Sequence, residues 1–276
     1  MLNKLKNKFK EFEKELKVEK KLKVEKENRN KERKIFIFGA PHSGKSTFTS
    51  ELINYIDLHE DFILRRDPIN NKNGVIQISE WCDNHECGKF PLQTQSDTII
   101  KINIEFSEKN IKGLNRIVLY EISGEKTMLF DPIHDDSVMS GSENTANEII
   151  ELKNFLEKSD CVMIFASSKP DSTEEKNRIL NFLELVDRTY PKKPICLILT
   201  KFDLIRGDYR NPSKALKDLY YSTAEILFSK DNSMVFDFSV GVVGVRKISE
   251  DESENYISKN QSEDYLKEIF DYMRTI

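Results

Sequence analysis

The sequence predicts an α/β protein built on a doubly wound, mostly parallel sheet with one antiparallel edge strand, preceded by an N-terminal helix. Short apolar runs alternate with longer stretches of helical periodicity, as in sheets whose parallel strands are joined by helices. Two strand-like runs, residues 99–106 and 117–120, follow one another without a helical stretch between them, which predicts an antiparallel hairpin. A lysine-rich stretch without Gly or Pro precedes the first apolar run and favours a helix.

Composition indicates a soluble protein with a substantial core. The chain has 276 residues, of which 38% are hydrophobic and 33% charged, so it suits one large domain with an appendage. Its apolar runs are too short to span a bilayer and its start lacks a signal-peptide core, so we expect a cytoplasmic location. Four cysteines are too few for a disulfide framework, and Cys161 and Cys196 are expected to be core thiols.

Residues 1–33 are predicted to form a charged amphipathic helix in front of a domain that spans residues 34–276. Residues 1–34 hold 14 Lys or Arg and 7 Asp or Glu (net +7), and the remainder holds 29 and 40 (net −11). A short apolar seam repeats at alternating three- and four-residue spacing: Leu2, Leu5, Phe9, Phe12 and Leu16. The helix could stay solvated, contact a protein partner or lie on an anionic membrane, and its interspersed glutamates weaken the membrane alternative.

The first apolar run, residues 35–38, leads into a phosphate-loop pattern. Residues 39–46 read G-A-P-H-S-G-K-S and fit G-x-x-x-x-G-K-[ST], and a helix is predicted over residues 46–58. Glycines in this loop let backbone N–H groups surround phosphate oxygens at the positive end of the helix. The Lys45 ammonium would reach the β- and γ-phosphates, and the Ser46 hydroxyl would bind Mg²⁺. The predicted phosphate-binding residues are Gly39, His42, Ser43, Gly44, Lys45, Ser46 and Thr47.

Residues 57–97 are interpreted as a long irregular stretch, because Gly, Asn and Asp punctuate it. Three side chains within it, Cys82, His85 and Cys87, could be zinc ligands. No further Cys/His pair lies at zinc-finger spacing, so chance clustering is the favoured interpretation.

Beyond the hairpin, helices and strands alternate to the end of the chain. Helices are predicted over residues 144–158, 173–189, 212–228 and 265–273, and strands over residues 161–166, 195–199 and 234–239. Residues 250–263 are predicted to form an acidic, serine-rich loop. The predicted buried face of the first of these helices comprises Ile149, Ile150, Leu152, Phe155 and Leu156.

The strand at residues 195–199 runs into T-K-F-D, residues 200–203. The Asp203 carboxylate can accept hydrogen bonds from guanine N1–H and from the exocyclic amine, a donor pair that adenine lacks. The Lys201 side chain would lay its aliphatic stem along the base. The sequence therefore predicts a guanine nucleotide as the ligand.

Together these motifs resemble the translation-factor/Ras-like (TRAFAC) class of P-loop GTPases over residues 34–239. The resemblance implies that E-I-S-G, residues 121–124, is the third motif, with Glu121 in place of the usual aspartate. In that class the acidic residue holds Mg²⁺ through water and the glycine N–H meets the γ-phosphate. The resemblance also implies a switch threonine, for which Thr94 is favoured over Thr98, and a water-orienting role for Glu125.

More narrowly, L-Y-E-I-S-G-E and G-K-F-P-L-Q-T resemble the bacterial double-GTPase families, which are often associated with conflict or defence gene neighbourhoods. The implied function is a nucleotide switch that binds GTP or GDP with Mg²⁺ and hydrolyses GTP slowly. A protein partner is expected at the N-terminal helix or the switch regions, and no nucleic acid is expected. The implied catalytic residues are Lys45, Thr94, Gly124 and Glu125, the metal ligands Ser46, Thr94 and Glu121, and the base-binding residues Thr200, Lys201, Asp203, Ser239 and Val240.

One alternative is a binding module that holds nucleotide as a structural or sensing element without turnover. Glutamate at position 121 favours it, as does Pro41, which lacks an N–H and would fill space near the γ-phosphate. Another, an ATP-dependent enzyme that uses the same loop, is opposed chiefly by Asp203. An intact phosphate-loop pattern and Glu125 favour hydrolysis.

Overall fold

The computed structural model describes residues 32–65, 99–109, 114–124, 127, 143–170, 172–205, 207, 209–247, 253–260 and 262–276. The predicted N-terminal helix lies outside these residues, as do Cys82, His85, Cys87, Thr94, Thr98 and Glu125. In the described part of the chain, no helix is long and apolar enough to cross a membrane.

Seven of the described strands form one sheet in the order β2-β3-β4-β1-β5-β6-β7. Their bounds are β1 Glu32–Gly39, β2 Phe62–Arg65, β3 Ile99–Glu108, β4 Asn115–Ile122, β5 Cys161–Ser167, β6 Ile195–Thr200 and β7 Ser233–Phe238. All pairings from β4 to β7 are parallel, whereas β3 runs antiparallel to both β4 and β2. The prediction of a mostly parallel sheet with antiparallel pairing at one edge is thus confirmed, and the unpredicted strand β2 lies outermost.

Helices cover both faces of this sheet. They are α1 Lys45–Leu58, α2 Glu143–Lys158, α3 Thr173–Thr189, α4 Pro212–Leu219, α5 Tyr221–Phe228 and α6 Glu263–Thr275. Helices α1 and α6 pack on one face and α2 to α5 on the other. Because side chains alternate along a strand, Ile35 and Ile37 of β1 enter the first core and Phe36 and Phe38 enter the second. All four are fully buried, which explains the uninterrupted apolar run.

The predicted helix over residues 212–228 is instead two helices that meet at Tyr220. Tyr220 has φ −135° and ψ 56°, which no helix accommodates. Its ring is buried and its hydroxyl donates to the Ser167 carbonyl at 2.7 Å. A further difference concerns Ile150, which is 57% exposed although the prediction placed it on the buried face of α2.

The predicted loop over residues 250–263 is wrong for most of its length. Strands β8 (Gly241–Lys247) and β9 (Ser253–Asn260) pair in an antiparallel hairpin that forms a second, two-stranded sheet. The residues of β9 read S-E-N-Y-I-S-K-N, which has too few apolar side chains to show strand periodicity.

The first strand begins at Glu32, within the segment predicted to be helical. Glu32 lies opposite Arg116 in the parallel pairing of β1 with β4, and the two side chains form an ion pair at 3.1 Å. Arg33 is buried. Pairing with β4 therefore extends the sheet by three residues before the apolar run starts.

Candidate functional site

The glycine loop, residues 39–46, joins β1 to α1 at the carboxyl edge of the parallel strands. Gly44 has φ 89°, in the left-handed region that glycine adopts without strain. A Cβ atom on Gly39 would lie 2.6 Å from Ser43 Oγ and 2.8 Å from the Phe165 carbonyl oxygen. One glycine of the pattern is therefore required by backbone conformation and the other by close packing.

Lys45 is a buried cation at the first position of α1. Its side-chain nitrogen donates to the carbonyl oxygens of Gly39 at 2.7 Å and Ala40 at 3.0 Å. Burial lowers the pKa of Lys45 to about 8, while the charges of Glu121 and Glu175 act in the opposite direction. Carbonyl oxygens solvate an ammonium without neutralising it, so an anion bound at the loop would stabilise this charge.

Glu121 links the end of β4 to the start of α1. The side chain is fully buried, Oε1 accepts from the Ser46 hydroxyl at 2.7 Å, and Oε2 accepts from the Thr49 hydroxyl at 3.3 Å. The register that pairs Ile37 with Glu121 sets this position, because it brings β4 level with the end of β1. Two predicted metal ligands, Ser46 and Glu121, are therefore in direct contact.

Gly124 lies against Pro41 of the glycine loop. A Cβ atom on Gly124 would lie 2.2 Å from the Pro41 nitrogen and 2.4 Å from its Cα, so only glycine fits. The Thr127 N–H donates to the Gly124 carbonyl at 3.3 Å. The structure thus brings the predicted third motif to the glycine loop, while Glu125 lies outside the described residues.

Thr200 ties the T-K-F-D loop to the glycine loop. Its hydroxyl donates to the Ser43 carbonyl at 2.8 Å, and its side chain lies 3.4 Å from where a Cβ on Gly44 would be. The next residue, Lys201, has φ 56°, and its carbonyl accepts from the Ser168 hydroxyl at 2.6 Å. Two motifs that are far apart in sequence are therefore in direct, buried contact.

Ser239 holds Asp203 in place. The Ser239 hydroxyl accepts from the Asp203 N–H at 2.9 Å and donates to Asp203 Oδ1 at 2.6 Å. Ser239 is buried, whereas Asp203 is exposed. Val240 follows, partly buried against the α1 core. A buried hydroxyl thus fixes an exposed carboxylate, as expected of a group that contacts a ligand.

Most predicted site residues meet at this one edge of the sheet, except that Thr94 and Glu125 lie outside the described residues. Within the described ranges, no group of three or more His, Cys, Asp or Glu comes together as a metal site. Of the predicted metal ligands, Ser46 and Glu121 lie among these described residues, and Thr94 does not. The residues brought together are Gly39, His42, Ser43, Gly44, Lys45, Ser46, Thr47, Glu121, Gly124, Thr200, Lys201, Asp203, Ser239 and Val240.

Sequence reasoning missed three supporting residues: Thr49, Ser168 and Glu175. Glu175 is buried in the first turn of α3, where Oε1 accepts from the Ser167 N–H at 3.2 Å and lies 3.5 Å from the Tyr220 hydroxyl. A carboxylate one turn into a helix is expected to be a solvated end residue. Only the tertiary fold, which places β5 and α5 around it, reveals its role.

Neither a family model nor a curated protein matches this chain. Among solved structures, a crystal structure of a mutation variant of SsGBP is similar, with 18% sequence identity and a TM-score of 0.37. The match covers 81% of this chain and 54% of that one, so the chain spans about half the length of that neighbour.

Proposed function

We propose that this chain is a Mg²⁺-dependent GTP-binding protein of the P-loop class that hydrolyses GTP slowly and acts as a nucleotide switch. The observation that carries the proposal is the contact between two halves of one site. The glycine loop with Lys45 forms the phosphate half, and Lys201 with Asp203 forms the base half. The Thr200 hydroxyl joins them through the Ser43 carbonyl at 2.8 Å.

The phosphate half suits a polyphosphate because it already contains a buried positive charge and the amino end of a helix. Lys45 is only 6% exposed, and a phosphate at the loop would replace the solvation that burial removed. Ser46 would bind Mg²⁺ directly and Glu121 would hold it through water, with Thr94 as the predicted third ligand. Bound Mg²⁺ would neutralise charge on the β- and γ-phosphate oxygens.

The base half suits guanine because its acceptor is fixed and accessible. The Ser239 hydroxyl orients the Asp203 carboxylate through Oδ1 at 2.6 Å. That carboxylate can accept both guanine donors, whereas the amine of adenine would leave it partly unpaired.

The hydrolytic part of the proposal follows from the resemblance. By analogy with the TRAFAC class, Lys45 and the loop amides of this chain would stabilise charge on the reacting phosphate. Gly124 would donate its N–H to the γ-phosphate, and Glu125 would orient water. Participation in a bacterial conflict or defence system rests on the narrower family resemblance alone.

Calorimetric titration of GTP and GDP, with and without Mg²⁺, tests the binding proposal. We expect saturable one-to-one binding that strengthens with Mg²⁺ and is lost in Lys45→Met. Lys192→Met is the matched control, because Lys192 is exposed and distant in sequence from the loop. Equal GTP affinity in wild type and Lys45→Met would overturn the assignment of the glycine loop.

A second candidate function, nucleotide sensing without turnover, is favoured by the contact between Gly124 and Pro41. A Cβ on Gly124 would lie 2.2 Å from the Pro41 nitrogen, so the loop and the third motif are already closed on each other. Single-turnover phosphate release from bound GTP separates the two functions. Release faster than the spontaneous hydrolysis of GTP supports the switch, and release at the spontaneous rate supports the sensor.

A further inference from the structure

A groove runs along the second half of α1 beside the start of α6. Its volume is about 240 Å³. This is smaller than the roughly 300–1,000 Å³ of most small-molecule pockets, so the groove suits an anchoring side chain better than a metabolite. The described residues that line it are Glu51, Asn54, Tyr55, Leu58, His59, Ser262 and Glu263.

The groove combines an apolar rim with acidic walls. Leu58 is 75% exposed and supplies the apolar rim of the groove. The Ser262 hydroxyl donates to Glu51 Oε2 at 2.7 Å and fixes one acidic wall. Burial raises the pKa of Tyr55, and the carboxylates of Asp271 and Glu263 raise it further, against the opposing charge of Arg274. Among the described lining residues there is no Lys or Arg, so the groove favours a cationic, partly apolar occupant.

The lower end of the groove lies at the same edge of the sheet as the start of β1. The His59 carbonyl accepts from the Phe62 N–H, and Phe62 pairs with Glu108 at the end of β3. That end of β3 lies beside the start of β4, where Arg116 pairs with Glu32. Three strand spacings, about 14 Å, therefore separate the first residues of β2 and β1.

We infer that the groove is the docking site of the chain's own leading segment, residues 1–31. This segment holds 12 Lys or Arg and 6 Asp or Glu, so its net charge of +6 complements the acidic walls. Its seam of Leu2, Leu5, Phe9, Phe12 and Leu16 supplies apolar side chains for the rim at Leu58. As a helix it would be about 46 Å long, which is ample for the distance from Glu32.

This inference is independent of the proposed nucleotide function, because it uses the opposite end of α1 from Lys45. Isolated helices with a short seam are marginal in water, so protection of the segment's amides requires a docking surface. Attraction between exposed charges is screened within about 8–10 Å at ordinary salt, so added salt should weaken docking.

Hydrogen exchange followed by mass spectrometry on the full-length protein tests the inference. Leu58→Lys removes the apolar rim and places a positive charge at the groove, and Ile150→Lys is its matched control at a 57% exposed isoleucine on α2. Phe9→Asp with Phe12→Asp removes the seam, and Asn3→Asp with Asn7→Asp adds the same charge beside it. The paired changes in the leading segment keep the test valid even if Leu58→Lys disturbs α1.

We expect amides in residues 2–16 to exchange at least about tenfold faster in the Leu58 variant and the Phe9/Phe12 variant than in wild type and both controls. Amides in residues 55–61, at the groove, should also exchange faster in the Phe9/Phe12 variant than in its control. Equal exchange in the Phe9/Phe12 variant and its control would overturn the inference. Protection that appears only as protein concentration rises would also overturn it, because the occupant would then be a second copy.

Discussion

The two halves of the candidate site are held together in different ways. In the phosphate half, Lys45 is 6% exposed and Glu121 is fully buried, and both depend on the register of interior parallel strands. In the base half, Asp203 is exposed and is positioned by the hydroxyl of Ser239. Burying a charge destabilises a fold unless the charge is well compensated, whereas an exposed carboxylate has little such cost. We therefore expect the buried charge of the phosphate half to lower the free energy of unfolding. The base half should affect only the preference between nucleotides.

The largest expected effect is at Lys45. We expect Lys45→Met to weaken GTP and GDP binding by more than about 100-fold, because the buried positive charge is lost. The free energy of unfolding of the same variant should exceed that of wild type by about 1–3 kcal/mol at pH 7, because methionine occupies the site without a desolvated charge. Denaturant melts and calorimetry on Lys45→Met and Lys192→Met would measure both. Loss of stability together with loss of binding would show that Lys45 supports the fold instead.

The pH dependence of this stability difference is a second prediction. Burial lowers the pKa of Lys45 from 10.5 to about 8, so the unfolded chain binds more protons than the native protein between these values. The stability of wild type should therefore rise relative to Lys45→Met as the pH increases from about 8 to 10.5. Melts at pH 7, 8.5 and 10 would show the difference shrinking. A stability difference that grows with pH would contradict the lowered pKa of Lys45.

Substitution of Asp203 should change base preference without changing stability. Asp203→Asn should weaken GTP binding by about 10–100-fold and improve binding of xanthosine triphosphate, because an amide matches the exchanged donor and acceptor of xanthine. Competition titrations with both nucleotides would measure the change, and the melting temperature serves as the internal control. If GTP and xanthosine triphosphate keep their original ratio, Asp203 does not contact the base.

Ser46→Ala is expected to reduce the effect of Mg²⁺ more than the affinity itself. Its hydroxyl donates to Glu121 Oε1 at 2.7 Å, and the proposed site would use the same oxygen for Mg²⁺. We expect the strengthening of GTP binding by Mg²⁺ to fall by about tenfold, with a change below about threefold in its absence. Titrations at several Mg²⁺ concentrations would separate these values. An unchanged response to Mg²⁺ would remove Ser46 from the metal site.

The smallest expected effect is at Ser168, which the sequence did not single out. Its hydroxyl donates to the Lys201 carbonyl at 2.6 Å and supports a backbone with φ 56°. Loss of one such hydrogen bond is worth about 1 kcal/mol, so Ser168→Ala should weaken guanine nucleotides by about three- to tenfold. ATP affinity should stay constant, which titration with both nucleotides would show. An equal loss of ATP affinity would show that Ser168 supports the fold as a whole and not the base half in particular.

The parts of the fold that could be predicted are those where burial imposes a pattern. The strand over residues 195–199 and helix α3 match the structure closely, since β6 is buried on both faces and Ser172 caps α3 by accepting from the Glu175 N–H. Strands β2 and β9 were missed because they are short or polar, and their pairing depends on neighbours distant in sequence.

Within the candidate site, too, some residues could be predicted from the sequence and others could not. Gly39, Gly44 and Lys45 were predictable because phosphate chemistry requires those residue types at a fixed spacing. Ser168 and Glu175 were not, because a serine and a glutamate gain their positions only when β5, α3 and the T-K-F-D loop come together.

The affinity of the wild-type protein for GDP compared with ADP, measured under identical conditions with Mg²⁺, tests the central claim most directly. Both nucleotides offer the same phosphates to the glycine loop, so any difference comes from the base half. We predict that GDP binds at least about tenfold more tightly, because Asp203 pairs with two guanine donors and adenine lacks that pair. Equal affinities would contradict the account, since the two halves would then not form one guanine nucleotide site.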